Sequence, residues 1–309
     1  MNWFEFGLII QSKTTSLEHY RQFLRNMETT LNGLKRKFWR PIIQKGETSL
    51  DSSKISGKPW LNLGEGWPIC PNCLNPLRLV LQLNLQDLPQ GLNRKFGTGL
   101  LQLFCCESDF EIHTGESHVV ISRNSGTEVN WVIDEDGTSE TEEIDLPQDE
   151  GTLENVTLPC WMWACKAFSN SQVVRIIQPT GHLVDVSVPA METVFPTKSL
   201  VGWQESHEYP HPSEMEELAV VLDEKEDKTL TQHRLLAQAG DKLSGWPCWA
   251  QSVEYPLCPT CNQAMKQLIF QFESDGNKNF PYPHKGLGVG YLLQCSHHQE
   301  QVTFFCQFT

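Results

Sequence analysis

Positive charge is scarce in this chain: 24 Lys and Arg stand against 38 Asp and Glu, a formal net charge of -14 over 309 residues. Binding along a phosphate backbone needs a basic surface, so a nucleic-acid partner is excluded for the body of the protein and a basic protein or peptide is the expected one. Long apolar runs are missing too, none approaching the roughly twenty residues that span a bilayer, so no membrane role is read. The short apolar stretch Phe6–Ile10 has Glu5 beside it and lacks both a basic n-region and a small-residue cleavage site. It is not read as a signal peptide, and the expected location is the cytoplasm.

Several catalytic signatures are also missing. The sequence holds no Gly-x-x-x-x-Gly-Lys-Ser/Thr and no Gly-x-Ser-x-Gly. Those absences remove the simplest phosphate-cradle and hydrolase readings. The pairs Gly97-Thr98-Gly99 and Gly288-Val289-Gly290 precede strand-like sequence. A phosphate cradle needs its glycines to open a helix, so these read as turn or bulge glycines. The chain is read as non-enzymatic, with an enzyme built from distant Cys and His residues between its halves as the alternative.

Cysteine, by contrast, is plentiful at eleven residues, an odd number that suits thiols or metal ligands in a reducing compartment better than a disulfide framework. The most informative of them recur. Lys54-Ile55-Ser56-Gly57-Lys58-Pro59 leads to Cys70-Pro71-Asn72-Cys73, and Lys242-Leu243-Ser244-Gly245-Trp246-Pro247 leads to Cys258-Pro259-Thr260-Cys261 at the same interval. Behind each knuckle comes an apolar run with a glutamine near its end, Leu77–Leu83 and Met265–Phe272, then a Gly-x-Gly and a second apolar run. Self-similarity of this kind marks a duplicated unit. The expected fold is α+β, mainly β and internally duplicated, with two pseudo-symmetric antiparallel sheets and peripheral helices.

A Cys-Pro-x-Cys turn presents two thiolates to one tetrahedral metal, and zinc is the default ion. The second copy offers Cys258, Cys261, Cys295 and either His298 or Cys306 as a complete set. The first copy offers Cys70, Cys73 and Cys105 or Cys106, with Cys106 preferred; its fourth ligand must come from His113, His118, Cys160 or Cys165. The bland alternative for both is a pair of buried core cysteines in a turn. A redox role fits poorly, because strand-like sequence follows each knuckle where a helix N-terminus would be needed.

Residues 1–50 read as an N-terminal extension carrying an amphipathic helix over 14–39, with Leu17, Tyr20, Phe23, Leu24, Met27, Leu31, Leu34 and Phe38 on one face. Residues 51–309 then form the duplicated domain, with a first repeat at 54–120, a central segment at 121–240 and a second repeat at 241–309. The central segment contains an acidic block from Asp134 to Glu150 without a Lys or Arg, read as a solvated loop. It continues with expected strands at Pro159–Phe168, Val173–Ile177 and Leu183–Val188 and helices at Glu214–Leu222 and Leu230–Ala239. Trp60, Trp67, Trp203 and Trp246 sit beside Gly or Pro near the repeat openings, Trp249 stands two residues after Pro247, and all five are candidates for gripping an extended peptide.

Taken in order, Ser56-Gly57-x-Pro59-Trp60, Gly66-Trp67-Pro68, Cys70-x-x-Cys73, Leu81–Leu85, Leu88-Pro89, Gly99–Phe104, Phe195-Pro196-x-Lys198, Gly202-Trp203, Tyr209-Pro210 and Lys242–Pro247 resemble the bacterial YwqG-like family, whose domain is of unknown function. The likeness covers about residues 54 to 309. It implies an α+β fold with two pseudo-symmetric sheets. A more distant likeness to programmed cell death protein 2 and its relatives implies a chaperone-like role toward a newly made ribosomal protein, although this chain lacks their additional cysteine-rich finger. An immunity or accessory role beside a bacterial toxin is the third implication.

Overall fold

The computed structural model describes residues 33–46, 48–113, 132–133, 139–140, 157–180, 187–191, 195–220, 222–273, 280 and 288–308. Its strands are β1 (Arg36–Lys45), β2 (Lys54–Ile55), β3 (Arg78–Asn84), β4 (Leu100–Cys105), β5 (Glu111–His113), β6 (Val132–Ile133), β7 (Ser139–Glu140), β8 (Thr157–Pro159), β9 (Gln172–Ile177), β10 (Lys198–Glu208), β11 (Lys242–Leu243), β12 (Gln267–Glu273), β13 (Gly288–Gln294) and β14 (Val302–Phe308). Three short α-helices join them, α1 (Cys160–Trp163), α2 (Pro212–Glu217) and α3 (Glu224–Gln232), together with a 3₁₀ turn at Gln90–Leu92. The protein is thus mainly β with few helices. The apolar runs behind the knuckles are indeed strands, and β3, β4 and β13 are buried almost throughout, which is why they read as continuous apolar stretches rather than alternating ones.

The expected pair of similar sheets is corrected to one large sheet, beside which β5 pairs with β8 and β6 with β7 in two small ribbons. A ten-stranded antiparallel sheet runs in the order β14-β13-β12-β11-β1-β10-β2-β3-β4-β9. The join is made by two strands whose sequence does not advertise them. β1 pairs with β10 from Arg36↔Glu208 to Lys45↔Lys198 and touches β11 at Trp39↔Leu243, while β10 pairs with β2. The sheet curls until its two end strands meet: the Gln172 side chain donates to the Phe304 carbonyl at 2.8 Å. Just outside β9, the Cys306 N–H donates to the Cys165 carbonyl at 2.9 Å. The core that fills the curl runs from Leu79, Leu81 and Phe104 on one side to Phe270, Phe272 and Phe304 on the other.

β1 also corrects the helix expected to reach residue 39. Arg36–Lys45 is a strand because Phe38 and Trp39 are buried and the whole segment is laddered to β10. The earlier part of that expected helix lies outside the described residues. Pro159–Phe168 is not a strand either: Pro159 ends β8 and acts as the N-cap residue of one helical turn, α1. α2 stops at Glu217, ahead of the expected end, since Ala219 takes a left-handed φ of 53°. α3 begins upstream of its expected range; most of the acidic block, apart from Ser139–Glu140 in β7, and most of the expected strand at Leu183–Val188 fall outside the described residues.

The two occurrences of the opening motif fold alike. Ser56 and Gly57 have φ of 58° and 82°, and Ser244 and Gly245 have 62° and 88°. A Cβ on Gly57 would run into Thr197 Oγ1, and one on Gly245 into Glu208 Oε1, so only glycine fits either turn. The glutamine that ends each apolar run anchors this turn. Gln82 accepts from the Trp60 N–H at 2.9 Å and donates to the Leu50 and Ser52 carbonyls; Gln271 accepts from the Cys248 N–H at 2.8 Å and donates to those of Gln238 and Gly240. A register shift interrupts β3–β4 between Leu79 and Leu81, and another interrupts β12–β13 between Leu268 and Phe270.

The lysine before each turn is buried but held differently. Lys54 Nζ donates to the carbonyls of Ser49, Leu50 and Lys58 at 2.7, 3.0 and 3.1 Å. Lys242 Nζ donates to both carboxylate oxygens of Glu208 at 2.8 Å, and neither side chain has any exposed surface. Burial raises the Glu208 pKa and lowers that of Lys242, with their mutual attraction opposing both shifts. Glu208 also accepts from the N–H groups of Gln238 and Trp246, which satisfies the remaining lone pairs of a desolvated carboxylate.

Candidate metal centres

Each Cys-x-x-Cys sits in a tight loop closed by main-chain bonds. Cys70 N–H donates to the Asn75 carbonyl and Leu74 N–H to that of Cys70, both at 2.8 Å; Cys258 and Asn262 repeat both bonds at the same lengths, to Gln263 and Cys258. Isolated bridges, Ile69↔Pro76 and Leu257↔Ala264, close the base of each loop. Leu74 and Asn262 take left-handed φ values of 61° and 56° there. Such a turn points its two thiols to one side.

The adjoining hairpin supplies the third ligand. Cys106 follows β4 directly and Cys295 follows β13 directly, so the same strand pairing that builds the core carries a thiol to each knuckle. The fourth ligands come from different places. His298 lies one turn after Cys295, held by Gln301 N–H donating to its carbonyl at 2.9 Å. Cys160 begins α1, with its N–H bonded to the Phe110 carbonyl at 2.8 Å. The ligand atoms of Cys70, Cys73, Cys106 and Cys160 lie within 4.8 Å of one another, and so do those of Cys258, Cys261, Cys295 and His298.

These separations suit a metal. A tetrahedral zinc with Zn–S near 2.3 Å and Zn–N near 2.0 Å needs edges of about 3.8 Å between sulfurs and about 3.6 Å from sulfur to nitrogen. Cys73 Sγ lies 3.5 Å from Cys106 Sγ, and Cys261 Sγ 3.7 Å from Cys295 Sγ. His298 Nδ1 is 3.8 Å from both Cys258 Sγ and Cys295 Sγ. All eight residues can therefore hold a metal ion, one in each group. The first group has a further support, since buried Ser171 Oγ lies 3.7 Å from Cys70 Sγ and accepts from Asn72 Nδ2 at 2.9 Å.

Electrostatics prepares one thiolate in each knuckle. A hydrogen bond with Cys106 pulls Cys70 down to about 4, helped by the N–H groups of Cys73 and Asn72 against the effect of burial. The same bond pushes Cys106 up. Burial opposes ionisation of Cys258, but the N–H groups of Cys261 and Thr260 outweigh it and bring the thiol down to about 7. Burial pushes Cys160 and Cys261 up.

Cys306 is not in the second group, which corrects its place among the candidate ligands. It sits on β14 in the main core, where its thiol is pushed up by burial and by a hydrogen bond with Cys165. Cys105 and Cys165 are also buried away from the first group, and burial raises Cys105. Of the alternatives for the fourth ligand, Cys160 is the one brought to the knuckle; His113 falls on β5 and His118 lies outside the described residues.

A family model described as Domain of unknown function (DUF1963) matches residues 53–293, well over half of the chain. The chain belongs to that family. The DUF1963 match contains all four residues of the first group and the Cys258–Cys261 knuckle, and it stops before Cys295 and His298. No curated protein matches the chain.

In this DUF1963 protein the tryptophans near the repeat openings are engaged internally. Trp60, Trp246 and Trp249 are buried. Trp246 Nε1 donates to the Leu34 carbonyl at 2.7 Å and the Arg36 guanidinium stacks 3.2 Å above its ring. Trp249 donates to the buried Glu214 carboxylate, which also accepts from Tyr255 Oη at 2.8 Å. Half-buried Trp67 donates to the Leu77 carbonyl and meets Phe104 edge-on, and Trp203 meets Phe270 in the same way.

Proposed function

We propose that this chain is a zinc-stabilised, non-enzymatic module that binds a basic polypeptide in the cytoplasm. The observation that carries the reading is that both ligand groups reach four protein side chains. A catalytic zinc keeps one position open for water or substrate, whereas Cys₄ and Cys₃His sets are closed and structural. Zinc at these positions would bolt each knuckle to its hairpin, and in the first group it would also bolt down α1. The eleven cysteines, free in the described fold, suit a reducing compartment. A net charge of -14 favours a cationic partner through long-range attraction.

The matched turns, glutamine anchors and knuckles support descent of the two hairpins from one duplicated unit, now merged into a single sheet. Likeness to the YwqG-like proteins and to programmed cell death protein 2 supports the chaperone-like form of the reading, as a fold-level analogy. The test is fluorescence anisotropy with a labelled Lys/Arg-rich peptide and an Asp/Glu-rich peptide of equal length. The basic peptide should bind, more weakly as salt rises, and the acidic one should not. Equal binding of both, or of neither, would sink the reading.

A further inference from the structure

We infer that the partner docks on the apolar tip of the first knuckle, where Ile69, Leu74 and Phe110 face solvent; this rests on the protein-binding reading above. Ile69 is 57% exposed, Leu74 77% and Phe110 56%. They are carried on segments tied to one centre. Ile69 and Leu74 flank the Cys70–Cys73 loop, Asn75 Nδ2 donates to Ser108 Oγ at 3.2 Å, and Phe110 N–H donates to that same hydroxyl. The Phe110 carbonyl in turn accepts from Cys160 N–H.

The second knuckle shows that this exposure is not needed for the turn. There the position of Leu74 is held by Asn262, and that of Ile69 by the half-buried Leu257. A left-handed φ disfavours leucine and is tolerated by asparagine, so Leu74 is a poorer choice for the turn and gains little from burial. An exposed apolar cluster retained against local preference marks a contact surface.

Charge selects the occupant. No Lys or Arg occurs between Lys58 and Arg78, nor between Arg78's partner Glu107 and Ile112. Asp109 and Glu111 flank Phe110 and are exposed. An apolar tip with two exposed acids beside Phe110 and no cation in its own segments fits a peptide that combines large apolar side chains with Lys or Arg.

The test uses the full zinc-loaded chain and two labelled peptides, one alternating Leu or Phe with Lys, the other with Ser in place of Leu and Phe. The first should bind more tightly. Leu74→Asn and the pair Ile69→Thr with Phe110→Ser should each weaken it by about tenfold, while zinc content and thermal midpoint stay at the parent values. Unchanged affinity in both variants would overturn the placement and leave the binding reading standing. Failure of every basic peptide to bind the parent chain would overturn both. Self-association that Leu74→Asn abolishes would make the occupant a second copy and overturn the partner named here.

Discussion

Cys73 Sγ lies 3.5 Å from Cys106 Sγ, too far for a disulfide and close to one edge of a zinc tetrahedron. Cys160 completes that group from α1, and its segment also carries Cys165 and Phe168 to the last strand, where Phe168 N–H donates to Thr303 Oγ1 at 2.9 Å. Metal in the first group would therefore brace the seam where the curled sheet meets itself. Cys160→Ser should lower the metal content from two ions per chain to one and destabilise the fold by about 3 kcal/mol or more, read by metal analysis and chemical denaturation.

Cys306 gives the opposite expectation. It lies in the core with Cys165 and outside both ligand groups, so Cys306→Ala should leave the metal content unchanged. The cost should be about 1 kcal/mol, as for other small losses of buried volume. Loss of one metal ion in this variant would restore it as a ligand.

The Lys242–Glu208 pair is the clearest electrostatic commitment of the fold. Glu208→Ala leaves a fully buried ammonium without its counterion and should cost about 3–5 kcal/mol. Adding Lys242→Met removes the stranded charge, so the double variant should recover much of the loss in a denaturation series. Equal instability of single and double variants would place the cost in the main-chain bonds that Glu208 accepts from Gln238 and Trp246 instead.

What the sequence disclosed was set by the range of each signal. The knuckles, the turn glycines and the glutamine strands depend on neighbours within a few residues, and they stand where their spacing placed them. Gln82 and Gln271 acquire their reason only in three dimensions, as anchors for turns that precede them. β1 looks helical in the sequence because Leu34 and Phe38 extend a spacing of three and four, while its strand form is imposed by pairing with β10. β10 itself, with Gly202 and a polar second half, has little strand signal of its own and is held by neighbours on both sides. Cys160 was one of several candidates because no local spacing connects it to Cys70; the chain reaches the knuckle through α1. Cys105 and Cys106 could not be told apart by spacing, and strand alternation decides between them by sending adjacent side chains to opposite faces.

Native mass spectrometry of the chain purified without chelator tests the central claim most directly. Two zinc ions should remain bound to each chain, falling to one in both Cys160→Ser and His298→Ala, because each variant breaks a different group. A well-folded chain carrying fewer than one zinc ion per two molecules would contradict the account and leave both knuckles as buried cysteine turns.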